Sequence, residues 1–270
     1  MERKNIFQGL NKVVVKIGTS VLTSSNNRLD LSVIEHLVEQ VCILIKEKGV
    51  KVAMVSSGAI GAGMQLLGWE KRPAEISQLQ AAASIGQSRL MRVYERFFRD
   101  EGINVGQILL TRDVFTMPVR ENNARKTMQT LFELKVVPII NENDSIAVDE
   151  IKVGDNDTLS AYVADLISAD MLIMITDVNG LSCEDPKKNS NSKVIDLVED
   201  FSKAEQMVKN TSTSGCGTGG MRSKVSAARY VAERGIYCVI LNGKKMWSIT
   251  EAFKGENIGT LFLPSKSKMT

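Results

Sequence analysis

Short runs rich in Val, Ile and Leu alternate along this chain with longer segments whose apolar residues recur at helical spacing. Residues 13–17, 50–55, 105–110, 136–140, 171–176 and 237–241 read as buried strands, with a last strand near 260–262. Residues 32–48, 78–99, 121–134, 156–166 and 220–234 read as helices. Gly49 and Gly102 fall just ahead of strands, where helix C-caps belong. Strand–helix alternation of this kind implies right-handed βαβ units and a sheet covered on both faces. The expected fold class is therefore α/β, a three-layer α/β/α sandwich around a mostly parallel central sheet. Residues 24–27 and 185–192 read as polar surface loops, and no repeat or linker composition divides the chain. A single domain over residues 1–270 is expected.

In sheets of this type ligands bind beyond the carboxyl ends of the strands, and polar residues gather there. Lys16 closes the first strand ahead of Gly18-Thr19-Ser20. The second ends in Ser56-Ser57-Gly58 and a Gly-rich turn through Gly61 and Gly63; the fourth ends in Asn141-Glu142-Asn143-Asp144; the fifth ends in Thr176-Asp177. Any one cluster could be turn chemistry, but four at strand ends read as one site. Asp155-Asn156-Asp157 opens a helix with more carboxylate than an N-cap needs.

The run Gly215-Cys-Gly-Thr-Gly-Gly-Met-Arg-Ser-Lys224 leads glycines into a helix with a lysine one turn inside it. Such a loop turns backbone N–H groups toward an anion at a positive helix end, most often a phosphate. Gly215, Gly217 and Gly220 satisfy the dinucleotide spacing, but residues 209–214 before them read as loop rather than strand, so that match is weak. No Gly-Lys-Ser/Thr triplet follows, which excludes the Walker pattern. A plain Gly-rich capping linker is the bland alternative.

Composition narrows the function classes. The chain of 270 residues is 43% apolar and 24% charged, and its net charge of +3 is spread among interleaved acids and bases. That balance argues against a nucleic-acid partner, and the absence of a signal-like or membrane-length apolar run against a membrane; a cytoplasmic protein is expected. Cys42, Cys183, Cys216 and Cys238 form no Cys-x-x-Cys pair and read as reduced thiols rather than a metal site. The one histidine, His36, reads as a helix-surface residue, so Ser-His-Asp catalysis and His-rich metal centres are excluded.

In their order and spacing, Val15-Lys-Ile-Gly-Thr-Ser-Val-Leu-Thr23, Ser56-Ser-Gly-Ala-Ile-Gly-Ala-Gly63, Gly86-Gln-Ser88, Val105-Gly-Gln-Ile-Leu-Leu-Thr111, Ile140-Asn-Glu-Asn-Asp144, Ile151-Lys-Val-Gly-Asp-Asn-Asp157, Thr176-Asp177 and Gly217-Thr-Gly-Gly-Met-Arg-Ser-Lys224 resemble the amino acid kinase family. The resemblance covers roughly residues 10–263 and is closest to the branch that phosphorylates the side-chain carboxylate of L-glutamate with ATP, opening proline biosynthesis. It implies the amino acid kinase fold, with a glutamate-side lobe over about 1–165 and an ATP-side lobe over about 166–265. By position it implies that Lys16 contacts the transferring phosphoryl group. Thr176 and Asp177, with Thr218, Gly219, Gly220, Met221, Arg222, Ser223 and Lys224, would hold the nucleotide. Ser57, Asp144 and Asn156 would hold glutamate. Mg²⁺ with ATP, feedback inhibition by proline and assembly into dimers or tetramers are implied as well. Many members carry a further C-terminal RNA-binding-type domain; this chain is expected to lack it.

The chemistry agrees with those roles. A glutamate carboxylate, with a reference pKa of about 4.3, is already a nucleophile at neutral pH, so no general base is needed. The difficulty is bringing an anion to a polyanion, so catalysis should be positioning plus charge neutralisation. Lys16 and Lys224 are the candidate cations, with amides of Gly18, Gly219 and Gly220 as further donors. Asp157 is the candidate for orienting both lysines, Asp144 suits a substrate ammonium, and Asn156 suits its α-carboxylate. A sibling kinase for acetylglutamate, aspartate, carbamate or uridylate, and an inactive kinase fold that senses nucleotide or amino acid, remain as alternatives.

Overall fold

A computed structural model describes residues 2–24, 28–146, 156–182, 192–211 and 219–265. In chain order the elements are α1 (Arg3–Gln8), β1 (Lys12–Ile17), α2 (Thr19–Leu22), α3 (Leu31–Lys48), β2 (Lys51–Ser56), α4 (Ala59–Leu66), α5 (Ile76–Asp100) and β3 (Asn104–Leu110). A 3₁₀ turn, Arg112–Phe115, leads to α6 (Pro118–Glu133), β4 (Val136–Glu142), α7 (Asn156–Leu166), β5 (Met171–Thr176) and β6 (Leu197–Val198). The chain continues with α8 (Phe201–Thr211), α9 (Gly219–Ala232), β7 (Tyr237–Asn242), α10 (Ser248–Lys254) and β8 (Thr260–Phe262).

The strands form one sheet in the order β3-β4-β2-β1-β5-β7-β8-β6. Every described pairing is parallel except β7 with β8. β1 lies between β2 and β5, with Lys16 opposite Val55 and Met174. Because β4, β2, β1 and β5 are neighbours and parallel, their polar carboxyl ends lie along one edge of the sheet.

Alternation along β1 divides the interior in two. Val13, Val15 and Ile17 enter the core built with α1, α3, α5 and α10, whereas Val14, with Val55, Leu172 and Met174, enters the core built with α6–α9. Helices therefore cover both faces, as the patterning predicts. Lys16 shares the parity of Val14, which directs it to the α7/α9 side.

The seven predicted strands and five predicted helices recur within three residues of their predicted ends. Gly49 caps α3 at φ 68°, and Gly102 adopts φ 71° one residue past the cap of α5. The patterning missed α1, α2, α8, α10 and the two-residue β6. Three readings are corrected. Residues 209–211 end α8 rather than lying in a loop. The turn expected through Gly61 and Gly63 is α4, because this helix crosses α5 at backbone contact. A Cβ at Gly63 would sit 1.8 Å from the Ala82 carbonyl oxygen, and one at Gly86 1.8 Å from that of Ala59. His36 is corrected too: it is half-buried, stacks edge-on against Trp247 at 4.6 Å between ring centroids, and accepts the Trp247 N–H at 3.0 Å.

Candidate functional site

Two helices aim their N-termini at the sheet edge where β1, β2, β4 and β5 end. α7 opens with Asn156 and Asp157, and α9 opens with Gly219 and Gly220 before Ser223 and Lys224. The first N–H groups of each helix have no partner within their own helix, and both helix dipoles add positive potential there.

At the centre stands Asp157. Its Oδ1 lies 2.5 Å from Lys16 Nζ and its Oδ2 3.1 Å from Lys224 Nζ, while Ser223 Oγ donates to Oδ2 at 2.7 Å. Lys224 Nζ also donates to the Gly220 carbonyl at 3.0 Å, which folds the side chain back over its own helix start. Lys16, Asp157 and Lys224 are 5%, 1% and 9% exposed, so water screens these charges poorly. Burial pushes the Asp157 carboxyl upward, but Lys16 and Lys224, with hydrogen bonds from Lys16 and Ser223, hold it below the usual carboxylate range. Two ammonium groups thus converge on one carboxylate, and both lie where a helix N-terminus would favour an anion.

Beside this cluster runs a chain of amides. Asn156, the neighbour of Asp157, donates through Nδ2 to Ser57 Oγ at 2.8 Å and to Asn141 Oδ1 at 3.0 Å. Asn141 Nδ2 in turn donates to Gln87 Oε1 at 2.9 Å. The Ser56 hydroxyl, beneath Ser57, lies 2.7 Å from the buried hydroxyl of Tyr94. α5 thus supports both strand ends, through Gln87 and through Tyr94.

Asp144 follows β4. Burial raises its carboxyl to about 6, Glu142 adds to the rise, and Arg72 opposes it. Burial likewise raises Glu142, against the pull of Arg112. Protonated or paired with a cation, Asp144 is at ease here; bare and ionised, it is not.

The structure therefore joins Lys16, Asp157, Ser223 and Lys224 in one cluster, and Ser57 with Asn156 in a second that shares the α7 start. Thr176 is buried at the end of β5, next to β1, and its hydroxyl donates to Asp177 Oδ1 at 3.3 Å. Asp177 and Arg222 are exposed and Met221 is half-buried. Thr218, with Gly215, Cys216, Gly217, Cys183 and Asp155, lies outside the described residues. Two expectations change. The Gly18 N–H is already bound to the Ile175 carbonyl at 3.2 Å, so it is not an available donor. Ser223, expected only to line the nucleotide, bonds the central carboxylate. Asn141 was placed at the site edge but given no role of its own, and Gln87, quoted within the Gly86-Gln-Ser88 motif, was given none either. Cys42 and Cys238 are buried free thiols. Among the described residues no helix is long and apolar enough to cross a membrane.

Comparison with known proteins places these features. The model of the "Amino acid kinase family" matches residues 11–242. The chain is 44% identical over 267 residues to a glutamate 5-kinase of Geobacter metallireducens, covering 99% of this chain and 71% of that protein. It is 43% identical over 260 residues to the glutamate 5-kinase of Clostridium tetani, covering 96% and 97% respectively. With that of Clostridium acetobutylicum it shares 44% over 262 residues, covering 97% and 98%. Among solved structures, a UMP kinase from Ureaplasma parvum superposes with a TM-score of 0.63 at 16% identity, covering 94% of this chain and 99% of that one. One from Bacillus anthracis gives 0.61 at 13%, covering 94% and 96%. At such identities the two structures speak for the fold alone.

Proposed function

The chain belongs to the amino acid kinase family and, within it, to the glutamate 5-kinases; we propose that Lys16 and Lys224 clamp the transferring phosphoryl group of ATP while Ser57, Asn156 and Asp144 hold the acceptor. The reaction is ATP-dependent phosphorylation of the glutamate side-chain carboxylate, giving L-glutamyl 5-phosphate, the first step of proline biosynthesis. The observation that carries the site assignment is Asp157 bound to both Lys16 and Lys224, all three buried, at the sheet edge where the two helices begin.

In this reading the polyphosphate lies along the N-terminus of α9, over the amides of Gly219 and Gly220, with Thr176, Asp177, Thr218, Met221, Arg222 and Ser223 around the nucleotide. Mg²⁺ bound to the triphosphate would offset part of its negative charge. Glutamate lies on the β2/β4 side. Its ammonium meets Asp144, whose raised proton affinity in the free protein falls once a cation neutralises it. Its α-carboxylate meets the Asn156 amide and the Ser57 hydroxyl, and its side-chain carboxylate faces the lysine pair in line with the transferring group. Charge that spreads over the phosphoryl oxygens in the transition state falls between two fixed ammonium groups, which need no reorganisation because Asp157 and the Gly220 carbonyl already hold them. No group has to remove a proton. The division into a glutamate-side lobe over about 1–165 and an ATP-side lobe over about 166–265 follows the same arrangement.

We propose further that proline inhibits the reaction and that the chain assembles as a dimer or tetramer, as the family resemblance implies. The test is hydroxylamine trapping of the acyl phosphate with ATP, Mg²⁺ and L-glutamate, beside aspartate and acetylglutamate. Proline added to the same assay, omission of Mg²⁺, and light scattering of the free protein test the remaining points. Hydroxamate from aspartate or acetylglutamate but not from glutamate would overturn the substrate assignment.

A further inference from the structure

Gln87 is 8% exposed, yet its Nε2 has no hydrogen-bond partner among the described residues. An unsatisfied buried donor costs about 1–3 kcal/mol, and a methionine of similar length would fill the space without it. The useful end of the side chain is therefore Oε1, which accepts from Asn141 Nδ2 at 2.9 Å.

That single bond decides which way the Asn141 amide faces. With its nitrogen held toward α5, its oxygen must face Asn156, whose Nδ2 it receives at 3.0 Å. Turned by half a rotation, Asn141 would set NH₂ against NH₂ at Asn156 and oxygen against oxygen at Gln87. The Asn141 oxygen in turn holds Asn156 Nδ2 where it also reaches Ser57 Oγ at 2.8 Å. Three amides thus transmit one orientation from α5 to the start of α7. Gln87 cannot back away, because its neighbour Gly86 lies against the α4 backbone, where even a Cβ would come within 1.8 Å of the Ala59 carbonyl oxygen.

We infer that Gln87 is a positioning residue for the acceptor, setting acid binding through Asn141 and Asn156 without touching the substrate. The inference rests on the reading of Ser57 and Asn156 as acid-holding groups. It separates Gln87 from the lysine cluster, so its loss should weaken acid binding and leave phosphoryl transfer and nucleotide binding alone.

The experiment compares Gln87→Met and Gln87→Glu with the wild-type chain by hydroxamate kinetics in both substrates and by thermal melting. Gln87→Met removes the acceptor and the unpaired donor together. The expected result is a KM for glutamate raised about tenfold, with kcat and the KM for ATP within about threefold of wild type, and no loss of melting temperature. Gln87→Glu keeps an acceptor oxygen toward Asn141 and should bring the KM for glutamate back to within about threefold of wild type. A Gln87→Met enzyme whose KM for glutamate stays within about twofold of wild type overturns the inference. So does a parallel fall in kcat, both affinities and melting temperature in both variants, which marks a purely structural residue. A wild-type chain that yields no hydroxamate from any acid overturns the functional reading instead, and this inference with it.

Discussion

Replacing Asp157 by asparagine keeps the shape of the side chain and removes the carboxylate that bridges two buried ammonium groups. At 2.5 and 3.1 Å, and with an effective dielectric constant of about 20, each ion pair has a gross attraction of roughly 5–7 kcal/mol. Much of that is offset by the desolvation of three charges, so the pairs are no measure of net stability. Losing the shared partner is different, because Lys16 and Lys224 are then left facing each other out of water. A loss of about 3–5 kcal/mol is expected for the free protein, of order 10 °C in melting temperature. A non-hydrolysable ATP analogue supplies the missing negative charge, so it should raise the melting point of Asp157→Asn more than that of wild type. Turnover should still fall by roughly 10²–10³, since the ammonium groups lose the carboxylate that aims them. The sign of the pH dependence follows from the depressed carboxyl. Its contribution is present above the ordinary carboxylate range and disappears as pH falls through a lower folded-state value. The gap in stability between wild type and variant should therefore close only below about pH 4. Scanning calorimetry or fluorimetry with and without the analogue, beside hydroxamate rates, reads each quantity. An unchanged melting temperature together with turnover within about tenfold of wild type would mean that Asp157 does not hold the two lysines.

Lys224→Ala still leaves Asp157 paired with Lys16, so the fold should persist while kcat drops roughly 10²–10³; equal turnover would count against the clamp. Asp144 gives the opposite pH behaviour to Asp157. Its folded value of about 6 lies above the unfolded one, so its charge weakens the free fold as pH rises from about 4 to 6. Asp144→Asn should then stabilise the free protein at pH 7 by about 2–3 kcal/mol while sharply raising the KM for glutamate, and wild-type kcat/KM for glutamate should fall below about pH 6. Gly86→Ala forces apart helices in backbone contact and should cost at least about 3 kcal/mol by denaturant unfolding; a stable variant would contradict the crossing.

Most of the sheet was legible because its strands are continuous β-branched or aliphatic runs bounded by glycine and polar turns. The site edge was legible for the same reason, since Lys16, Ser57, Asn141 to Asp144 and Thr176 each follow such a run. α4 was not, because Ala-Ile-Gly-Ala-Gly has poor helix propensity and owes its conformation to a crossing that only small residues permit. α10 and His36 were missed together: His36 reads as a surface residue until its acceptor nitrogen meets the Trp247 N–H, a contact between residues far apart in sequence. Ser223 was read only as lining the nucleotide, and its bond to Asp157 forms because α9 lands beside α7. Gln87 was given no role, and it joins the amide chain only because α5 lies under β4. The central triad was foreseen because charge neutralisation of a polyanion demands cations and something to aim them.

Hydroxamate formation by the wild-type chain and by Asp157→Asn, with ATP, Mg²⁺ and L-glutamate at saturation, probes the clamp itself. Product from wild type is expected with glutamate far above aspartate and acetylglutamate, at a rate roughly 10²–10³ lower in the variant. Undiminished turnover in Asp157→Asn would contradict the lysine–carboxylate clamp on which the mechanism depends.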